Sequence, residues 1–239
     1  MQPLAASQIE YACSTKQSNR RRLIRRLFPT QRTNLHLSSF KNLTSLFLPI
    51  VLSMFATTLF FDEQKNDTLK GLLIIPISKT QLYFSKIAVV IFMSLALCLL
   101  TFAICILGGF LAGGFTDLNT ETILQAGLLF LAGGVLVPLA MLPVIFLATL
   151  AKGYVLPIGA ALLYLVPVVL IPSGIMGLHP LASVMGIYPY ISSDAAEMVK
   201  KWAGGIEITI SPNICLISLL VIGSISAIVS VLALRKQTY

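Results

Sequence analysis

Apolar runs long enough to cross a bilayer dominate the chain at 44–61, 87–110, 123–150, 154–177 and 214–234. A hydrocarbon core takes about 20 residues per helical crossing. With no water there to satisfy N–H and C=O groups, such runs fold as helices. A transmembrane barrel would instead show alternating segments of about 10 residues, and none of these runs alternates. The pattern predicts an all-α integral membrane protein with about five transmembrane helices over 44–239, preceded by a polar segment, 1–43.

The polar interruptions carry their own signals. In the loop 62–86, Leu69, Leu72 and Leu73 fall at i, i+3 and i+4, with Glu63, Asp67 and Lys70 on other faces of the same helix. Pro76 ends that helix. Ser78 with Gln81 has the spacing of a capping box and starts a helix through Tyr83 and Lys86 into the next apolar run. The predicted product is a short amphipathic helix, 66–75, tied to a span at each end. The late loop 178–213 repeats the signal: Asp194 and Glu197 read as a capping box, opening a short helix through Met198, Val199 and Trp202 that Gly204 and Gly205 end. Trp202 beside Lys200 and Lys201 suits a helix at the membrane interface. The loop 111–122 holds Asp117 and Glu121 and no base, and 151–153 is a tight turn. Near the start, RRRLIRRLF sets Leu23, Ile24, Leu27 and Phe28 against arginines, the pattern of an interfacial helix on an anionic surface. An Arg-Arg export signal or a transit peptide is the alternative, but no small-residue cleavage site follows.

Composition agrees. The chain is 56% hydrophobic and 11% charged, with a mean hydropathy of +0.89, more apolar side chain than a soluble core of this size buries. The net charge of +8 would point to nucleic acid in a soluble protein. Here seven of the 17 basic residues lie in 16–32 beside a span, where they report topology and anionic lipid. The charge count then conflicts with itself. With alternating spans, one side collects Lys65, Lys70, Lys79, Lys86, Lys152, Arg235 and Lys236, seven bases. The other collects ten: Lys200, Lys201 and the eight of the N-terminal segment. Either a first span is missing, or 44–61 with its Pro49 does not cross fully, or the basic segment lies outside. The first reading is favoured, with the C-terminus in the cytoplasm.

Several chemistries have no residues to carry them. No glycine pair is followed by the Lys-Ser or Lys-Thr of a phosphate loop, so the chain is not expected to bind ATP or act as an enzyme. Gly133–Gly134 and the other intramembrane pairs read instead as close helix contacts. The five runs hold no Asp, Glu, Lys, Arg or His, which disfavours a proton-coupled carrier. His36 and His179 lie outside the runs, far apart, and read as loop residues. The four cysteines lack metal or disulfide spacing, and no metal or cofactor site is expected. Prolines at 49, 138, 143, 157, 167 and 172 kink helices and free carbonyls, for a flexible pathway or as ordinary membrane-helix prolines.

The run Phe61, Glu63, Thr68, Leu69, Lys70, Leu72, Leu73, Pro76, Ile77, Ser78, Lys79 and Lys86 resembles the first cytoplasmic loop of permeases of type 2 ABC exporters, in particular the bacitracin-export and lantibiotic-immunity branch. His179 and Pro180, with the short helix after them, are similar to that family's outer loop. The resemblance implies six membrane helices per permease, of which the first has no counterpart here. It implies a coupling helix that docks on a separate cytoplasmic ATPase, through Glu63, Thr68, Leu69, Lys70, Leu72 and Leu73, with Pro76, Ser78 and Gln81 as supports. It further implies two copies of that ATPase, which bind the ATP, and a second permease copy or sibling in a bacterial plasma membrane. The implied cargo is an amphipathic compound such as a peptide antibiotic. A non-transporting scaffold or sensor that uses the basic segment is the alternative, ahead of an ion-coupled carrier.

Overall fold

The first helical rod begins at Leu35, well before the apolar run at 44–61 predicts. The computed structural model describes residues 35–62, 78–111, 120–151, 153–170, 174–205 and 210–236. The rod consists of α1 (Leu35–Asn42), a π turn (Leu43–Phe47), α2 (Leu48–Thr57) and a second π turn (Thr58–Asp62). Pro49 sits in the first turn of α2 and does not interrupt the rod. The apolar stretch His36–Phe61 is 26 residues, about 39 Å at ~1.5 Å per residue, enough to cross a core of about 30 Å. The rod is therefore not too short to span.

Its buried stripe explains the π turns. Phe40, Thr44, Leu48, Leu52 and Ala56 are fully buried and Phe60 nearly so, one residue in four. Five turns of α-helix take about 18 residues, but the stripe uses 20 from Phe40 to Phe60. Each π turn, bonded i to i+5, absorbs one extra residue. The two turns thus hold on one face a stripe that an uninterrupted α-helix would wind away from the core.

The remaining elements are α3 (Lys79–Leu111), α4 (Thr120–Ala140), α5 (Leu142–Leu150), α6 (Val155–Leu170), α7 (Pro180–Ile187), a 3-10 turn (Tyr188–Tyr190), α8 (Ser193–Trp202) and α9 (Pro212–Lys236). Every element among the described residues is helical, and the protein is an all-α membrane protein. The first rod, α3, α4 and α9 are each long and apolar enough to cross a membrane, whereas α6 is shorter, with 16 residues. The run 123–150 is not one helix. Pro138 lies inside α4 and Pro143 in the first turn of α5, and at Met141 the ladder shifts so that the Val144 N–H donates to the Met141 carbonyl. This releases the Ala140 carbonyl, which accepts from the Tyr164 hydroxyl of α6 at 2.7 Å.

Close packing follows the small residues. A Cβ on Gly133 would come 2.7 Å from the Phe40 ring, and one on Gly134 would come 2.9 Å from the Leu95 side chain and 3.1 Å from its Cα. This pair therefore seats α4 against the first rod on one side and α3 on the other, as a close-contact glycine pair should. Gly108 has nothing within 4 Å of its added Cβ and serves no such role. Phe40 also meets Phe130 and Tyr188 edge-on, at centroid distances of 5.0 and 4.9 Å.

Part of the segment 178–213 packs into the bundle rather than forming a loop. Residues Pro180–Gly186 of α7 are all buried, packed against α9, where a Cβ on Gly186 would lie 2.9 Å from the Cys215 Sγ. Gly177, at φ +83°, turns the chain into α7, and its N–H donates to the Ser183 hydroxyl. His179 is the residue before α7 and lies against the Tyr164 ring at 4.2 Å. Burial holds its imidazole below the ordinary value, partly opposed by a backbone hydrogen bond at Tyr164. His36 is in α1 rather than in a loop, facing Asp194 of α8. The predicted cap of α8 is corrected: the Ser192 hydroxyl accepts from the Ala195 N–H, so the helix opens at Ser193, while Glu197 pairs with Lys201 at 3.4 Å. Gly204 and Gly205, at φ +76° and +87°, end it. The expected helices within 16–32 and at 66–75, together with Asp117 and Lys152, lie outside the described residues.

Candidate functional site

The polar loop between the first rod and α3 is the candidate site, and its two ends are built in detail. Glu63, Thr68, Leu69, Lys70, Leu72, Leu73 and Pro76 lie outside the described residues; Ser78 and Gln81 lie within them. The Ser78 N–H donates to the Gln81 Oε1 at 3.1 Å, and the Gln81 N–H donates to the Ser78 hydroxyl at 3.2 Å. The reciprocal box satisfies two donors at the start of α3. Ser78→Ala removes the acceptor of the Gln81 N–H, at a cost of about 1 kcal/mol. Amide hydrogen exchange over residues 79–82 is expected to quicken about fivefold; unchanged exchange would mean the box adds nothing to the start of the helix.

The other end is held by residues that the sequence reading did not single out for this role. Lys86, one of the last residues of the polar interruption, is buried at 6% exposure on the α3 face that also buries Tyr83. Its Nζ donates to the Leu59 carbonyl at 2.7 Å and lies 4.5 Å from the Phe60 ring centroid. Leu59 belongs to the second π turn, at the end of the first rod. The negative end of a helix dipole, a carbonyl acceptor and an aromatic face all favour a cation, which offsets the cost of burying it. Tyr83 packs against Phe60 and Phe84 at 6.1 and 5.6 Å, and its hydroxyl neighbours Ser230 of α9. Phe61 meets Tyr154, just before α6, edge-on at 5.1 Å. The loop thus leaves and rejoins the bundle at one end, where the first rod, α3, α6 and α9 converge. The available signal was a lone lysine three residues after a tyrosine, on the helical face that turns inward.

Chemistry of another kind is not assembled here: among the described residues no three of His, Cys, Asp and Glu lie close enough to hold a metal ion. Several membrane-length helices, joined by a polar loop whose ends are clamped together, define a multi-pass membrane protein. The chain matches the ABC-2 family transporter protein model over residues 23–168, more than half of its length, and it belongs to that family. It is also similar to the "Bacitracin transport permease protein BCRB" of Bacillus licheniformis, with 32% identity over 97 residues. That match covers 41% of this chain and 46% of the relative, so it spans about half of the relative's length. No solved structure matches the chain.

Proposed function

We propose that the chain is the membrane-spanning permease subunit of a bacterial ATP-driven exporter, working with a separate cytoplasmic ABC ATPase. The observation that carries this reading is the loop itself: the family's loop residues stand between two spans whose ends are bonded to each other through Lys86 and Leu59. In this reading, helix 66–75 docks on the ATPase through Leu69, Leu72 and Leu73, with Glu63, Thr68 and Lys70 at the rim. The end of the bundle carrying the loop, Tyr154 and the C-terminus then faces the cytoplasm. Closure of two ATPase copies on ATP displaces the loop, and the adjoining spans tilt. A second permease copy or a sibling permease completes the pathway.

The cargo in this reading is an amphipathic compound of the peptide-antibiotic kind, as the name of the bacitracin relative supports. The test is tolerance. Coexpressed with its ATPase, the chain is expected to raise the bacitracin concentration that stops growth, and replacing the ATPase phosphate-loop lysine by Ala should remove the gain. A gain that survives that replacement would indicate a role without ATP-driven transport, such as a sensor or scaffold.

A further inference from the structure

The Lys86 ammonium carries a role beyond the reading above, and it rests on that reading. A lysine in the first turns of a membrane helix ordinarily reaches toward the headgroups and water. Lys86 does the reverse. It lies within α3, buried at 6% exposure, and turns across to a different helix, 27 residues back in the chain, where it meets the Leu59 carbonyl at 2.7 Å and the Phe60 ring. The bond therefore closes the loop 62–86 at its base, joining the last turn of the first rod to α3.

The surroundings make this joint stiff. Phe60 is 3% exposed and Tyr83 is 1% exposed, so the contact is packed on both sides. The α3 start is separately fixed by the Ser78–Gln81 box. A charge-assisted bond from ammonium to carbonyl is short and strong in a low-dielectric setting. Removing the ammonium leaves the Leu59 carbonyl without this donor, and the two helix ends lose a polar tie across the loop.

We propose that Lys86 is a positioning residue that locks the end of the first rod to the start of α3, so that a displacement of the loop moves both helices as one body. Without the lock, a docked ATPase would move the loop while the two helices yield separately. Docking and coupling are thereby assigned to different residues: docking to helix 66–75, and its transmission into the bundle to Lys86.

The test compares Lys86→Met, which keeps an unbranched apolar stem and removes the charge, with Lys86→Arg, which keeps a donor. Each is purified with its ATPase and reconstituted in liposomes, with spin labels on cysteines replacing the exposed Thr58 and Ser85 in parallel samples. Lys86→Met is expected to retain the ATPase in full yet to lose about tenfold in ATP-driven bacitracin movement, the scale of a coupling contact. Its Thr58–Ser85 distance distribution should broaden, and Lys86→Arg should restore both toward wild type. Wild-type movement in Lys86→Met overturns the proposal, and so does loss of the ATPase itself, which would make Lys86 part of the docking surface. If the wild-type chain retains no ATPase, the proposed function fails instead. The spin-label distances then decide the lock alone, an unchanged distribution in Lys86→Met overturning it.

Discussion

Replacing Leu72 and Leu73 together by Asp is expected to abolish copurification of the ABC ATPase and, with it, the gain in bacitracin tolerance. Each leucine, on docking, removes an apolar side chain from water, worth about 1.5–3 kcal/mol. The pair together is worth at least a hundredfold in affinity, at about 1.4 kcal/mol per factor of ten. The two aspartates add an unfavourable burial of charge. The chain itself should insert and purify at wild-type yield, since the substitution leaves every apolar span untouched. Copurification unchanged in the double variant would remove the docking assignment of helix 66–75.

Gly133→Ala is expected to destabilise the bundle by about 1–3 kcal/mol, the usual cost of overpacking. The new methyl would meet the Phe40 ring at 2.7 Å and the Thr44 Cγ2 at 3.1 Å. Phe40 has little room to retreat, being fully buried and packed edge-on against Phe130 and Tyr188. Thermal unfolding in detergent, followed by Trp202 fluorescence, should shift down by several degrees, whereas Gly108→Ala, in open surroundings, should leave the midpoint unmoved. Adding Phe40→Leu to Gly133→Ala should recover part of the loss. Equal midpoints for the two alanine variants would mean that α4 does not pack on the first rod as described.

Much of the helical plan was legible from hydropathy because lipid demands uniform apolar runs, and those runs are visible without knowing what packs where. The loop signals were legible for a different reason: Ser78 with Gln81 and the glycines at 204 and 205 act on the backbone beside them, and the structure shows both. What escaped depended on partners distant in sequence. The polar residues of His36–Lys41 hid the start of the first rod, because its anchors Leu37 and Phe40 are buried by α3, α4 and α8, contacts that local hydropathy does not show. Helix α7 hid for the same reason: its buried face is completed by α9, and only Pro180 at its first turn and the small Ala182, Ser183 and Gly186 mark it. The displaced cap of α8 shows two acceptors competing, where Ser192 in extended backbone wins over Asp194. At the candidate site, the lysine that ends the family's motif was visible as a letter, but its partner, a backbone carbonyl, has no letter at all.

The two π turns have a further consequence for motion. Exchanging an i to i+5 bond for the i to i+4 bond beside it moves the wide turn along the rod and rotates each residue it passes by about 100°, one step of an α-helix. Neither end of the rod needs to unwind for this to happen. The segment Leu48–Thr57 lies between two such turns, so a shift of either turn would carry the buried Leu48, Leu52 and Ala56 off the core face while the aromatic cluster around Phe40 and the lysine clamp anchor the two ends of the rod.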